Sequence, residues 1–202
     1  MEDLSRMLDA MENGIRSIMG EMNTSAPGVV VEFDAARNRA VVRPTLPKRV
    51  ADGTELAAPT IAEVPILWPS MGGAVLTMPV KPGDQVWLQF SQRSLDGWLQ
   101  DNDAAPDDPR RFDMTDAVAY PAGGRNVAAV DTSGAVLSFG ASKIRMTEAS
   151  IEISVGGISW VMTAGGITQT GGTLTHDGLN VGSTHRHGGV QSGAAQTSGP
   201  VA

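Results

Sequence analysis

The sequence predicts an all-β protein led by one N-terminal helix, with a small barrel followed by a repetitive β-structure. Three observations predict it. Of the 202 residues 41% are apolar, enough for a packed core, while aromatics are only 4% and glycines number 24, which favours turns over long helices. From residue 26 onward, short stretches of alternating apolar and polar residues are separated by Gly, Pro, Asp and Asn. Composition then shifts near "PAGGR", Pro121 to Arg125: 8 glycines lie before residue 123 and 16 from there on. The first part holds 11 Lys and Arg against 18 Asp and Glu, and the second holds 4 of each.

Residues 1–23, "MEDLSRMLDAMENGIRSIMGEMN", read as the helix. Leu4, Leu8, Met11, Ile15, Ile18 and Met22 alternate spacings of four and three, the d and a positions of a heptad. A stripe that narrow suits a coiled-coil seam better than a broad core face. Gly14 and Gly20 each weaken the helix by about 1 kcal/mol relative to Ala, so it needs something to pack against. Its own domain, another copy of the helix and a partner protein all remain open.

Residues 24–122 read as a barrel of five or six short strands. Val29–Phe33 and Arg39–Arg43 flank the turn "DAARN" as a hairpin; "AEVPILWPS" and "GAVLTMPV" follow, with Gly72 and Gly73 between them. After the turn at Pro82-Gly83-Asp84, Val86, Leu88 and Phe90 alternate with Trp87 and Gln89. The set fits a small closed barrel, the OB-fold kind among the options. "LQDNDAAPDDPRRFDMTDAVAYPAGG" reads as a solvated loop whose tail, "DAVAYPAG", returns to the body.

Residues 123–182 repeat: "SKIRMT", "EASIEISV", "GGISWVMTA", "GGITQT", "GGTLTHDG". First apolar positions fall at 144, 151, 158, 167 and 174, and Gly pairs punctuate the segments. Short strands with Gly corners signal a β-helix. Each strand offers only two or three apolar side chains on one face, so a single chain of rungs cannot enclose a core. Three chains wound together can, which points to a homotrimer; a flat meander packed on the barrel is the other way to hide that face.

Residues 183–202 form the expected apex. His185 and His187 are two of the three histidines, and no Asp or Glu follows Asp177. In an extended strand residues i and i+2 face the same way, so both imidazoles would lie on one side. Two ligands are too few for the four of zinc or the six of an octahedral ion. Three chains would supply six imidazole nitrogens, a set suited to an octahedral first-row metal such as iron. His176, on an earlier rung, reads as a structural or surface residue.

The stretch "VPILWPSMGGAVLTMPVKPGDQVWLQFSQRSLDGWLQ", Val64 to Gln100, followed by Gly-rich repeats and "THRHGGVQSGAAQTSGP", resembles the short central baseplate spike proteins of contractile-tailed bacteriophages. That resemblance implies a homotrimer with an OB-fold domain, an intertwined triple-stranded β-helix and a pointed apex. There, one iron ion per trimer would be held by His185 and His187 of each chain. It also implies a seat on the trimeric hub at the end of the tail tube, in the virion, and piercing of the host outer membrane when the sheath contracts. A spike of a non-viral contractile injection system would share these mechanics.

Other classes fare worse. There is no cysteine, hence no disulfide, thiolate metal site or Cys nucleophile. G-x-S-x-G, H-E-x-x-H and a phosphate-binding Gly loop with Lys are absent, so no enzyme is expected, neither a metal-dependent one nor one with a small-molecule substrate. Asp101, Asp103, Asp107 and Asp108 read as a solvated loop rather than a catalytic pair. An OB-type nucleic-acid module would want basic residues among its aromatics; Trp68, Trp87 and Trp98 instead lie in an acidic domain. No apolar run approaches the roughly 20 residues that span a bilayer, and Glu2 and Asp3 do not open a signal peptide. The expectation is a protein made soluble in the cytoplasm of its producing cell.

Overall fold

The computed structural model describes residues 2–50, 52–121, 125, 130–186, 188 and 193. The chain divides into two compact units, Met1–Ala128 and Ala129–Ala202.

The first unit opens with α1 (Glu2–Glu21). Strands β1 (Ser25–Asp34) and β2 (Arg39–Pro44) then form the expected hairpin. Its turn is held by Asp34, whose Oδ1 accepts from the backbone N–H of Ala36 at 3.0 Å and of Arg37 at 3.3 Å. Asn38 closes it at φ 52°, a left-handed position that Asn tolerates. The Asn38 side chain also donates to Ile66 O at 2.8 Å and accepts from Trp68 Nε1 at 3.0 Å. That pair of bonds ties the hairpin tip to a segment nearly thirty residues on.

Next come β3 (Lys48–Arg49) and β4 (Glu55–Leu56), a short hairpin, then β5 (Ile61–Pro65). Strands β6 (Ser70–Met71) and β7 (Ala74–Val75) form another short hairpin, β8 spans Gln85–Phe90, a 3-10 turn covers Trp98–Gln100, and β9 spans Ala117–Pro121. The expected strand over "GAVLTMPV" is shorter than its composition suggested. Only Ala74 and Val75 lie in the ladder, Leu76 N donates to Pro69 O at 2.9 Å just beyond it, and Pro79 could not donate to a longer one.

Five strands build one sheet in the order β5-β2-β1-β8-β9, all antiparallel neighbours. The sheet curls until its edges meet. A parallel bridge joins Ile66 to Ala119, and Leu67 N donates to Ala119 O at 2.8 Å. A register shift between Val30 and Glu32 in β1 marks a bulge, the usual means of bending a strand around a barrel. The core lies inside the curl: Val30, Val42, Val64, Ile66 and Leu88 are each at most 1% exposed. β8 alternates as expected, with Val86, Leu88 and Phe90 buried and Trp87 and Gln89 exposed. Gly28 is required where β1 crosses the core, since a Cβ there would sit 2.7 Å from Val42 Cγ1 and 3.1 Å from Leu88 Cδ1.

The acidic loop is not simply solvated. Asp116, 1% exposed, accepts from Arg110 Nε at 2.7 Å and Nη2 at 3.0 Å, and from the Leu95 N–H at 2.8 Å. Arg110 also reaches Asp96 at 2.8 Å and Asp108 at 2.7 Å. Hydrogen bonds to Asp116 and then Asp96 raise the Arg110 pKa still further, so it is a fixed cation. Both ends of the loop are thereby fastened to the barrel.

In the second unit, β10 (Ala135–Phe139), β11 (Ser142–Met146), β12 (Ser150–Val155), β13 (Ile158–Thr163) and β14 (Gly166–Thr170) pair in chain order. A small hairpin of β15 (Thr175–His176) and β16 (Leu179–Asn180) follows. The last four strands of the five-stranded sheet sit on the segments expected from the repeat, and β10 is additional. Within one chain they form an antiparallel meander; the Gly pairs at 156–157 and 165–166 lie at hairpin turns rather than at corners of stacked rungs, and the pair at 171–172 links the meander to the β15–β16 hairpin. At Gly156, φ 59° explains why glycine is needed where β12 turns into β13.

Leu88→Ala should destabilise the first unit by about 2–5 kcal/mol, as expected for a leucine removed from a packed core. Gln89→Ala, on the outer face of the same strand, should change it by less than about 0.5 kcal/mol. Urea unfolding followed by tryptophan fluorescence distinguishes the two.

Candidate assembly faces and histidine site

Directly opposed residues in adjacent strands share a face, so the register of the meander sorts its side chains. One row runs Ala135, Met146, Ile151, Met162, Ile167; the next runs Leu137, Ile144, Ile153, Trp160, Gln169; a third runs Phe139, Ser142, Val155, Ile158. The opposite face carries Lys143, Arg145, Glu152, Ser154, Ser159 and Thr168, with Val136 and Val161 as its apolar exceptions. The sheet is amphipathic by alternation, with Ser142 and Gln169 as the polar exceptions in its apolar rows.

The apolar face is the open one. Ile144 is 38% exposed, Ile153 40%, Trp160 46% and Ile167 69%, and no described residue of the second unit is buried. Lys143, Arg145 and Glu152, on the polar face, are more covered than these isoleucines. Taking each half-exposed large apolar side chain the rest of the way out of water gains about 1 kcal/mol. A contiguous face of ten such residues is the mark of an interaction surface rather than of ordinary scatter. At its edge, Gln169 Oε1 is shielded and has no hydrogen-bond partner among the described residues, as an acceptor awaiting a donor would be.

On the polar face Arg145 is held in an ion pair. Arg145 donates from Nε to Asp131 at 2.6 Å and from Nη2 to Ser133 Oγ at 2.9 Å, and it stands opposite Glu152. The Arg145 guanidinium, helped by Ser133, holds the Asp131 carboxyl well below the usual carboxylate range.

Beyond β16 the chain turns instead of continuing as a strand. Asn180 Oδ1 accepts from Gly182 N at 2.9 Å, and its Nδ2 donates to Thr184 Oγ1 at 2.9 Å. Gly182 O in turn accepts from His185 N at 3.0 Å and from His185 Nδ1 at 2.7 Å. A carbonyl oxygen can only accept, so Nδ1 carries the proton, and in the neutral ring the lone pair resides on Nε2. A histidine with Nδ1–H on a backbone carbonyl is the arrangement that orients a metal-binding Nε2. The donor chemistry of His185 therefore fits a metal ligand.

The strand premise for the pair is corrected: β16 ends at Asn180, and the Ser183-Thr184 turn, not strand pleating, sets the direction of His185. His187 lies outside the described residues. Among the described residues no group of three or more His, Asp or Glu is placed to hold a metal within one chain. His176 is on β15, exposed, 3.6 Å from the Asp177 carboxylate. Asp108 serves the Arg110 network, and Asn102 rather than a carboxylate organises the turn to Ala104.

α1 is the other open face. Every described side chain from Asp3 to Glu21 is exposed, with Leu4, Leu8, Met11, Ile15 and Ile18 between 55% and 69%. Its stripe is therefore not packed on the barrel of its own unit. Among the described residues no helix is long and apolar enough to cross a membrane.

Residues 26–122 match the family model described as phage protein Gp138 N-terminal domain. The match supports a phage structural protein, and with it a virion component. It spans the barrel, from the second residue of β1 to just past β9, a little under half of the chain. None of the curated proteins matches the chain.

The Asp131–Arg145 pair gives a pH-dependent stability. Because the folded carboxyl titrates below its ordinary value of 3.8, its contribution is present above pH 3.8 and is lost as pH falls through the lower folded value. Thermal unfolding of the wild type and Asp131→Asn across pH 7 to pH 2 should show the largest difference at neutral pH, shrinking towards acid.

Proposed function

We propose that this protein is the central spike of a contractile phage tail baseplate, a structural component that pierces the host outer membrane when the sheath contracts. The observation that carries the reading is the open apolar face of the second unit. A unit with no buried residue among those described gains its core from other copies of itself, and three amphipathic sheets can turn their apolar faces inward together. The polar face, with Lys143, Arg145 and Glu152 among Ser and Thr, then meets solvent.

In this reading the barrel is an OB-fold domain seated on the trimeric hub at the end of the tail tube, consistent with the curled five-stranded sheet and its single parallel closure. The acidic balance of residues 1–122 suits a protein partner rather than nucleic acid. His185 and His187 of three chains would hold one iron ion, which would supply a cross-link among chain ends that otherwise fray. The Gly182 carbonyl presets one ring of each pair. We assign the chain no catalytic activity and no small-molecule substrate; force is transmitted through packing and coordination.

Sedimentation and elemental analysis of untagged protein test this together. Three chains per particle with one iron per three chains is the expected result. A monomer would remove the shaft reading, and one metal per chain would return the site to a metal-dependent enzyme. Replacing both His185 and His187 by Ala should abolish the metal while leaving the trimer assembled. Ile153→Lys, at the centre of the apolar face, should dissociate the particle, whereas Ser154→Lys on the polar face should not.

A further inference from the structure

Resting on the trimeric reading for its strand number, we propose that α1 forms a parallel three-stranded coiled coil with the α1 helices of two further copies of this chain. The seam is written in its residues. Leu8, Ile15 and Met22 occupy a positions, and Leu4, Met11 and Ile18 occupy d positions. Ile at both a and d, as at Ile15 and Ile18, disfavours two strands and favours three or four. Met7 at g and Met19 at e, both more than half exposed, widen the apolar stripe as an interface with two neighbours rather than one requires.

Charge selects a copy of the same helix over an oppositely charged partner. Only Glu12 and Glu21 flank the seam, and each is neutralised in its own chain. Arg16 donates to Glu12 at 2.6 Å, and Lys48 donates to Glu21 at 2.6 Å. Arg6, Asp9, Asn13 and Arg16 lie on the side away from the seam. Identical helices therefore meet without like charges across the interface, and a basic partner would find no unpaired acid beside the stripe. The helix also cannot stand alone: 20 residues with Gly14 and Gly20 are marginal in water, and apart from the exposed Lys48–Glu21 pair its own unit leaves every described side chain from Asp3 to Glu21 exposed.

The absence of cysteine makes the test direct. Leu8→Cys and Ile18→Cys are introduced singly into the full chain and treated with a short bismaleimide; Asn13→Cys, on the far side of the helix, is the control. Because a seam cysteine removes apolar bulk, Met7→Cys beside the seam repeats the measurement with all six seam residues in place. The expected result is linked dimers at positions 7, 8 and 18 and none at 13. Linkage at the seam no greater than at 13, in a particle that still sediments as three chains, overturns the coiled coil and leaves the trimeric shaft intact. When the Leu8→Cys and Ile18→Cys chains are unfolded, mixed and reassembled, linkage between position 8 of one chain and position 18 of another, without like-to-like linkage, means antiparallel helices and also overturns it. A monomeric particle removes both proposals together.

Discussion

A β-sheet has two faces, and water can be kept from one of them only by a second layer. Both units answer to that constraint, in different ways. The first curls a five-stranded sheet until its edge strands meet at Ile66 and Ala119, so the sheet supplies its own second layer. Gly28 permits the closest approach inside that curl, and the bulge in β1 supplies the bend. The second unit has the same alternation, but none of its described residues is buried, and its apolar rows stay open in a single chain.

Charge is arranged so that neither device is disturbed. In the barrel unit, Arg110 gathers Asp96, Asp108 and Asp116 and fastens an otherwise repulsive acidic loop. In the meander, Lys143, Arg145 and Glu152 all fall on one side, with Asp131 as the partner of Arg145. A single-residue slip in register would carry these charges onto the apolar side, so the same alternation that builds the face also specifies its pairing. That coupling explains why so simple a repeat can define one structure.

Much of this is legible in the residues. Period-two alternation located β1, β2, β5, β8 and β11 to β14, Gly pairs marked turns, and β9, whose first three residues are all buried, was legible only as the apolar tail that returns a loop to the body. The β3–β4 hairpin was not legible, because "KR" and "EL" carry no apolar alternation. β10, "AVLSF" between Gly134 and Gly140, did carry the signal and lay just before the stretch where repetition is obvious. The Arg110 network depends on Asp96, fourteen residues away, and such pairing is set by tertiary folding. For His185, the spacing rule assumed a strand. A turn intervenes there, since Asn180 binds Gly182 and Thr184 and so bends the chain before the histidine.

The meander also carries a consequence for the order of events during folding. Each of its strands pairs with its neighbour in the chain, so its hairpins close over short loops and form fast. Barrel closure must instead bring Ile66 to Ala119 across more than fifty residues, the slower kind of step. A newly made chain therefore completes its open apolar sheet early, before any partner has arrived. That interval is when the molecule is most prone to aggregate. Because the apolar rows are confined to one side, and the other carries Lys143, Arg145 and Glu152, sheets can stack wrongly through one surface only. The yield of correctly assembled protein is then a contest between productive encounter and mispairing at that single surface.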